Sequence, residues 1–175
     1  MAYAYSTNTI YCIKKGGVMQ KIRFYYISLS GNTSSFVQRV SQYIETTYHR
    51  EVESLNVKDL KGKTITVDGP FVSFLPTYLE GGNGIDTGFQ EILTGNLRKF
   101  LEYQGNFRYC LGIIGSGNRN FNKQFCLTAF QYAEQFDFPV IDVFELRGTD
   151  EDVERISKHI LASFEKAEEK IDVSY

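Results

Sequence analysis

The chain has no tryptophan, only two histidines and only three cysteines in its 175 residues. His49 and His159 each lie in a helical pattern, which argues against a hydrolase triad and against a histidine-rich metal site. Cys12, Cys110 and Cys126 are widely spaced without a Cys-x-x-Cys pair, so the sequence indicates neither a zinc site nor a disulfide framework. These scarcities favour free thiols in a reducing, cytoplasmic compartment.

Strong charge and long apolar runs are also missing. The formal net charge is −2, which offers no basic surface for nucleic acid. No apolar run approaches the roughly 20 residues that a membrane-spanning helix needs. The length suits one domain with a substantial core. We therefore expect a single domain that binds neither nucleic acid nor a membrane.

The first 18 residues differ from the rest of the chain. They mix Tyr, Ser, Thr and Asn without a clear period, and they lack the basic start and apolar centre of a signal peptide. Met19 stands directly before the first strand-like run. The sequence predicts that residues 1–18 are a disordered or spurious extension and that residues 19–175 form the folded domain. Protection of residues 1–18 from limited proteolysis would contradict this.

From Met19 onward, strand patterns alternate with helix patterns. Strands are predicted at 22–28, 51–57, 70–76, 109–114 and 140–146. A first helix is predicted at 33–48, and Thr149 with Asp152 predicts the capped start of the last helix. Three further helical stripes are formed by Ile92, Leu93, Leu97, Phe100 and Leu101, by Phe125, Ala129, Tyr132, Ala133 and Phe136, and by Val153, Ile156, Ile160, Leu161 and Phe164.

This alternation predicts a particular α/β fold. Right-handed crossovers give a mostly parallel sheet that is covered by helices on both faces. The expected fold is a three-layer, doubly wound sheet of five parallel strands in the order 2-1-3-4-5, which is the flavodoxin-like arrangement. Because this arrangement binds ligands at the carboxyl ends of its strands, the loops after strands 1, 3 and 4 are expected to converge on one site.

The loop after the first strand has the composition of an anion site. Ser28, Ser30 and Thr33 offer hydroxyl donors, while Gly31 allows close backbone approach at a helix N-terminus. The loop, which also contains Asn32, carries no Lys or Arg. It therefore suits a phosphate monoester, such as that of flavin mononucleotide (FMN), better than a triphosphate with its metal. The same residue types also form ordinary turns and helix caps.

Two later loops combine glycines with aromatic side chains. Tyr78 and Phe121 offer ring faces on which a flavin can stack, and the glycines let main-chain groups reach the ring edge. Glycine clusters also form ordinary turns, and Tyr78 is compatible with a place in the core. The predicted cofactor-binding residues are Ser28, Ser30, Gly31, Asn32, Thr33, Pro76, Thr77, Tyr78, Gly81, Gly82, Gly115, Ser116, Gly117, Asn118, Asn120 and Phe121, and no metal ligand is predicted.

Four segments resemble a known family. They are residues 28–33 (SLSGNT), 75–78 (LPTY), 115–121 (GSGNRNF) and 144–149 (FELRGT). These segments are similar to those of the NrdI family of flavodoxin-like FMN proteins and occur in the same order. The similarity extends from Lys21 to the last helix. Many relatives carry an uninterrupted glycine run after Pro-Thr-Tyr. Here Leu79 and Glu80 intervene, and this longer form resembles streptococcal-type members.

The resemblance implies a redox accessory flavoprotein rather than a stand-alone enzyme, with FMN carrying the chemistry. In such proteins reduced FMN gives one electron to dioxygen. The resulting superoxide reaches the small subunit of class Ib ribonucleotide reductase, where a dimanganese-tyrosyl radical cofactor is assembled. The implied partners are this small subunit, dioxygen and an unidentified reductant of the flavin. Arg119 would place positive charge near the ring, or else would be a solvated loop charge or a partner contact.

Two other functions are compatible with the sequence. A general flavodoxin-type shuttle would share the cofactor, but such shuttles are usually strongly acidic, so the small net charge and Arg119 argue against it. A binding module that has lost its flavin would share only the fold. A colourless protein that rejects added FMN would favour this second alternative.

Overall fold

The computed structural model describes residues 2–6, 9–14, 17–18, 20–82 and 86–172, and the side chains of residues 20–82 and 86–169. The strands are β1 (Ala2–Ser6), β2 (Thr9–Lys14), β3 (Gly17–Val18), β4 (Ile22–Tyr26), β5 (Val52–Asn56), β6 (Phe71–Pro76), β7 (Cys110–Gly117) and β8 (Val140–Glu145). The α-helices are α1 (Asn32–Tyr48), α2 (Gly95–Glu102), α3 (Leu127–Phe136) and α4 (Asp150–Asp172). Short 3-10 segments lie at Val57–Leu60, Tyr103–Tyr109 and Arg119–Gln124.

Five parallel strands form the sheet of the domain in the order β5-β4-β6-β7-β8. This is the predicted order 2-1-3-4-5, with β5 as an edge strand, so the fold prediction is confirmed. Because β4 and β6 pair in parallel, their carboxyl ends are neighbours. The chain reverses its direction of winding between these strands, so the connections that follow them diverge and leave a crevice.

The first three strands form a second sheet. It is antiparallel, with the order β1-β2-β3, and it precedes the first strand of the domain. The prediction that the folded domain begins near Met19 stays a prediction.

Both faces of the five-stranded sheet are covered by helices. The apolar stripes of α1 and α4 pack on one face, where the rings of Phe36 and Phe144 stack with centroids 3.8 Å apart. The stripes of α2 and α3 pack on the other face, around Phe71, Phe100 and Tyr132. Strands buried on both faces explain the nearly continuous apolar runs of the sequence.

The last helix is fixed at both ends. At its start, the Asp152 carboxylate accepts from the Thr149 N–H (2.8 Å), and the Asp152 N–H donates to the Thr149 hydroxyl (3.2 Å), which confirms the predicted capping pair. Near its end, the buried Arg50 donates to Glu168 (2.7 Å) and to the carbonyl of Gln20 (2.6 Å). None of the helices in the described part of the chain is long and apolar enough to span a membrane.

Two predicted helix starts are wrong. Ile92 and Leu93 precede α2 and are exposed, because the preceding chain pairs with the loop after β6 instead of continuing the helix. Phe125 precedes α3, since Cys126 adopts a left-handed conformation (φ 54°) that interrupts the helical pattern.

The predicted end of the fourth strand is also wrong. Gly115, Ser116 and Gly117 belong to β7, not to the loop after it. Gly115 and Ser116 pair with β6, and Gly117 pairs with Glu145 of β8. Because glycine usually weakens a strand, the sequence pattern predicts an end of this strand that comes too early.

Candidate functional site

The carboxyl ends of the strands surround a cavity of about 450 Å³. Its walls come from the loop before α1, from the loop after β6, from the end of β7 with the segment that follows, and from the loop after β8. The lining residues are Ser30, Asn32, Thr33, Pro76, Thr77, Tyr78, Leu79, Glu80, Gly81, Gly82, Ser116, Gly117, Asn118, Phe121, Gln124 and Leu146. The three predicted loops therefore converge, and the volume is that of a small-molecule site.

Four predicted site residues are not part of this lining. Ser28 is buried, and its hydroxyl accepts from the Ser34 N–H (3.1 Å). Gly31 forms the turn into α1, and Gly115 packs under α3. The Asn120 N–H donates to the Asn118 side chain (2.9 Å). These residues support the loops whose neighbours face the cavity. Gly84, in the glycine-rich stretch that follows Tyr78, lies outside the described residues.

The start of α1 presents free donors to the cavity. Gly31 has a φ of 90° and a ψ of −11°, which turns the chain sharply into the helix. The first helical bond runs from the Ser35 N–H to the Gly31 carbonyl (2.9 Å), so the preceding N–H groups have no helical acceptor. No acceptor for the N–H groups of Asn32 and Thr33 lies among the described residues. These groups and the helix dipole favour an anion.

The loop after β6 is tied to both of its neighbours. The Tyr78 hydroxyl donates to Ser30 (3.3 Å), and the Thr77 N–H donates to the Ser116 carbonyl (2.8 Å). The Thr77 hydroxyl is buried and has no partner among the described residues, although Thr77 lines the cavity. Because a buried hydroxyl without a partner costs free energy, Thr77 is suited to bond a ligand. Phe121, 60% exposed, adds an aromatic face at the cavity wall.

A short antiparallel ladder shapes this loop. Leu79 pairs with Glu91, the Glu80 N–H donates to the Gln90 carbonyl, and the Ile92 N–H donates to the Tyr78 carbonyl (both 2.9 Å). The cavity wall at Leu79 and Glu80 is therefore one strand of a hairpin, and Glu91 lies on the other strand.

Glu91 fixes that hairpin to the helices. Its side chain is only 9% exposed, and its carboxylate accepts from Thr94 (2.5 Å), from Arg98 (2.6 Å) and from the hydroxyl of Tyr132 (2.6 Å). Burial, and then the adjacent Glu91, raises the pKa of Tyr132, which keeps its hydroxyl protonated as a donor. Sequence reasoning missed Glu91, whose only sequence signal is an acidic residue within an apolar segment.

The glycines at the end of β7 have a packing role. A Cβ on Gly117 would lie 2.9 Å from the backbone nitrogen of Cys126, and a Cβ on Gly115 would lie 2.9 Å from the Cβ of Ala129. These glycines therefore let the start of α3 approach the strand closely. Cys126 is buried there, and burial raises the pKa of its thiol to about 12, so it stays a neutral packing group.

Arg119 lies beside the cavity but does not line it. Its side chain is 66% exposed, pairs with Glu145 (Nε–Oε2 3.5 Å) and lies over the ring of Phe125 at 4.7 Å. It borders a second, more open groove of about 620 Å³. A position next to a flavin ring stays a prediction.

The loop after β8 forms a wall of the cavity, but none of its residues is among the predicted cofactor-binding residues. Leu146 lines the cavity, is 52% exposed, and has a φ of 52°, which is strained for a leucine. Its N–H donates to the Gly117 carbonyl (2.9 Å), which holds the strained residue in place. The neighbouring Arg147 donates from Nε to the side-chain oxygen of Asn32 (2.9 Å). Both residues lie in the FELRGT segment, which was the available sequence signal.

Comparisons with known proteins agree with this geometry. The sequence model of the family described as NrdI flavodoxin-like matches residues 24–158. A NrdI-like protein of Streptococcus pyogenes serotype M3 is 54% identical over 82% of this chain and 89% of its own length. Protein NrdI of Mycoplasmopsis pulmonis is 32% identical over 92% of this chain and 94% of its own length.

A solved structure shows the same fold. Oxidised flavodoxin 2 from Bacillus cereus aligns with a TM-score of 0.54 at 20% sequence identity, over 84% of this chain and 99% of the flavodoxin. At this identity the likeness shows the fold alone.

Proposed function

The chain belongs to the NrdI flavodoxin-like family, and from that premise we propose that it is an FMN protein that serves class Ib ribonucleotide reductase. In this proposal it passes reducing equivalents from FMN to dioxygen, and the resulting superoxide is the oxidant for assembly of the dimanganese-tyrosyl radical cofactor in the reductase small subunit. The observation that carries the proposal is the cavity at the switch point, which combines aromatic side chains with N–H donors and a buried hydroxyl that have no partner among the described residues. Family and fold together imply a flavin.

The phosphate of FMN is assigned to the start of α1. The free N–H groups of Asn32 and Thr33 and the hydroxyl of Ser30 would bind it, since all three residues line the cavity. The φ of 90° at Gly31 sets the direction of this turn. The Ser28 hydroxyl stabilises the turn by accepting from the Ser34 N–H. A phosphate dianion would also be stabilised by the helix dipole.

The flavin ring is assigned to the space between the loops after β6 and β7. Tyr78 and Phe121 supply flat faces, and Thr77 supplies a buried hydroxyl that has no partner among the described residues. No atom of the described residues lies within 4 Å of a Cβ built on Gly81, so a ligand can approach its backbone closely. When bound, FMN would supply the one-electron reduction of dioxygen to superoxide. No side chain is required as a nucleophile or a general base.

The proposal is tested by reconstitution. The purified protein is loaded with FMN, reduced, and mixed with dioxygen and a manganese-loaded class Ib small subunit. We expect the electron paramagnetic resonance signal of a tyrosyl radical, and we expect superoxide dismutase to suppress it. An FMN-loaded protein that exchanges electrons with redox partners but yields no radical is the outcome for a general shuttle. Failure to bind FMN at all is the outcome for a flavin-free module.

Arg119→Ala is expected to leave FMN bound and to slow radical formation. The side chain does not line the cavity, so FMN affinity should change by less than about twofold. An exposed guanidinium beside the site acts mainly on association with charged species, so the rate should fall about threefold at low salt and less at high salt. Titration with FMN measures the affinity, and stopped-flow assays measure the rate of radical formation. Unchanged redox potentials together with an unchanged rate would remove Arg119 from the function.

A further inference from the structure

Arg147 brings a positive charge to a loop whose own sequence has none. Residues 28–33 contain no Lys or Arg. In the structure, however, the Arg147 guanidinium donates from Nε to the side-chain oxygen of Asn32 (2.9 Å), across 115 positions of sequence. Asn32 is the first residue of α1 and lines the cavity. The guanidinium therefore stands one side chain away from the proposed phosphate position.

The backbone that carries Arg147 is held firmly. Arg39, on α1, donates to the carbonyls of Arg147 and Gly148, the latter at 2.9 Å, and pairs with Asp150 at 3.3 Å. A Cβ on Gly148 would collide with the ring of Phe36, so the turn also lies directly on the core. The loop after β8 is thus fixed against α1 independently of the Arg147 side chain.

The contact fixes which end of the Asn32 amide faces the ligand. Because the guanidinium has only donors, it holds the amide oxygen of Asn32. The amide nitrogen, with two donors, is then the end left for an anion in the cavity. A carbonyl oxygen turned toward a phosphate would instead repel it. Arg147 therefore favours an anionic ligand in two ways, through its own charge and through the orientation of Asn32.

We propose that Arg147 is a specificity-determining residue that makes the site prefer a phosphorylated flavin to the same flavin without phosphate. This inference rests on the proposed function. It places Arg147 as a positioning residue outside the cavity lining, since the guanidinium acts on the phosphate position through Asn32 and through space. A residue that only stabilised the fold would affect both flavins equally.

The test compares FMN with riboflavin. Dissociation constants are measured by fluorescence quenching for the full-length protein, Arg147→Gln, Arg147→Lys and the matched control Arg155→Gln. Arg155, like Arg147, lines the second groove beside the cavity, but it pairs with Asp142 and Asp152 and has no contact with the loop before α1 among the described residues. Thermal unfolding of each variant checks that it folds.

We expect Arg147→Gln to weaken FMN binding about tenfold at low salt and to leave riboflavin binding within about twofold. The FMN affinity of Arg147→Lys should lie between those of the wild type and Arg147→Gln, since lysine keeps the charge but lacks the planar guanidinium. Arg155→Gln should keep the full preference for FMN. Equal losses for both flavins, or no loss in Arg147→Gln, would overturn the inference while leaving the proposed function standing. A wild-type protein that binds neither flavin would overturn both.

Discussion

Gly31→Val is expected to weaken FMN binding by well over tenfold. Gly31 adopts a φ of 90°, a conformation that a β-branched residue avoids, so valine would force the turn into α1 to rearrange. No atom of the described residues lies within 4 Å of a Cβ built on Gly31, so the effect is expected from backbone strain and from the side chain's approach to the proposed phosphate position. Rearrangement would misalign the N–H groups of Asn32 and Thr33. Titration of the apoprotein with FMN measures the effect.

Gly62→Val is the matched control. Gly62 also has a positive φ, of 82°, with no atom of the described residues within 4 Å of a built Cβ, and it is not among the residues that line the cavity. Both variants should lose a similar amount of stability, on the order of 1–2 kcal/mol. Only Gly31→Val should lose FMN. A Gly31→Val protein that purifies fully yellow would show that the phosphate has been assigned to the wrong loop.

Glu91→Ala is expected to cause the largest loss of stability among the site variants. It removes the common acceptor of Thr94, Arg98 and Tyr132, and the Tyr132 side chain is fully buried. A buried hydroxyl and a partly buried guanidinium would then lack their partner, at a cost of about 2–4 kcal/mol. At roughly 2–4 °C per kcal/mol for a chain of this size, the thermal midpoint should fall by about 5–15 °C.

The same variant should also weaken FMN binding, because Glu91 holds the strand that pairs with Leu79 and Glu80 at the cavity wall. Glu154→Ala is the matched control, since Glu154 forms an exposed pair with Lys158 on α4 (2.5 Å). It should change stability by less than about 0.5 kcal/mol. If the two variants unfold at the same temperature, the contacts of Glu91 contribute no more than a surface pair.

The topology was accessible from the sequence because it rests on local patterns. Alternating apolar runs and helical stripes, such as that of Phe36, Val40 and Ile44, predict the layers. Parallel winding then brings the loops that contain Ser30, Tyr78 and Asn118 to one edge of the sheet. The site could be located to this extent because strand order alone determines which loops meet.

The supporting contacts were not accessible, because they join distant parts of the chain through side-chain geometry. Glu91 meets Tyr132 across 41 positions, and Arg147 meets Asn32 across 115. Neither contact has a local period or spacing that would identify it. The prediction that the glycines of β7 lie in a loop was wrong for a related reason. Their composition is typical of a loop, whereas their actual constraint is the close approach of α3, which only the packed structure reveals.

The contact between Arg147 and Asn32 joins the last loop of the domain to the first, so this corner of the cavity cannot form until the sheet between them has been assembled. We expect this side-chain contact to form after the rate-limiting assembly of the sheet. A ligand that needs the finished corner stabilises the native state without helping the transition state. FMN should therefore lengthen the lifetime of the folded protein and leave the rate at which the denatured chain refolds almost unchanged.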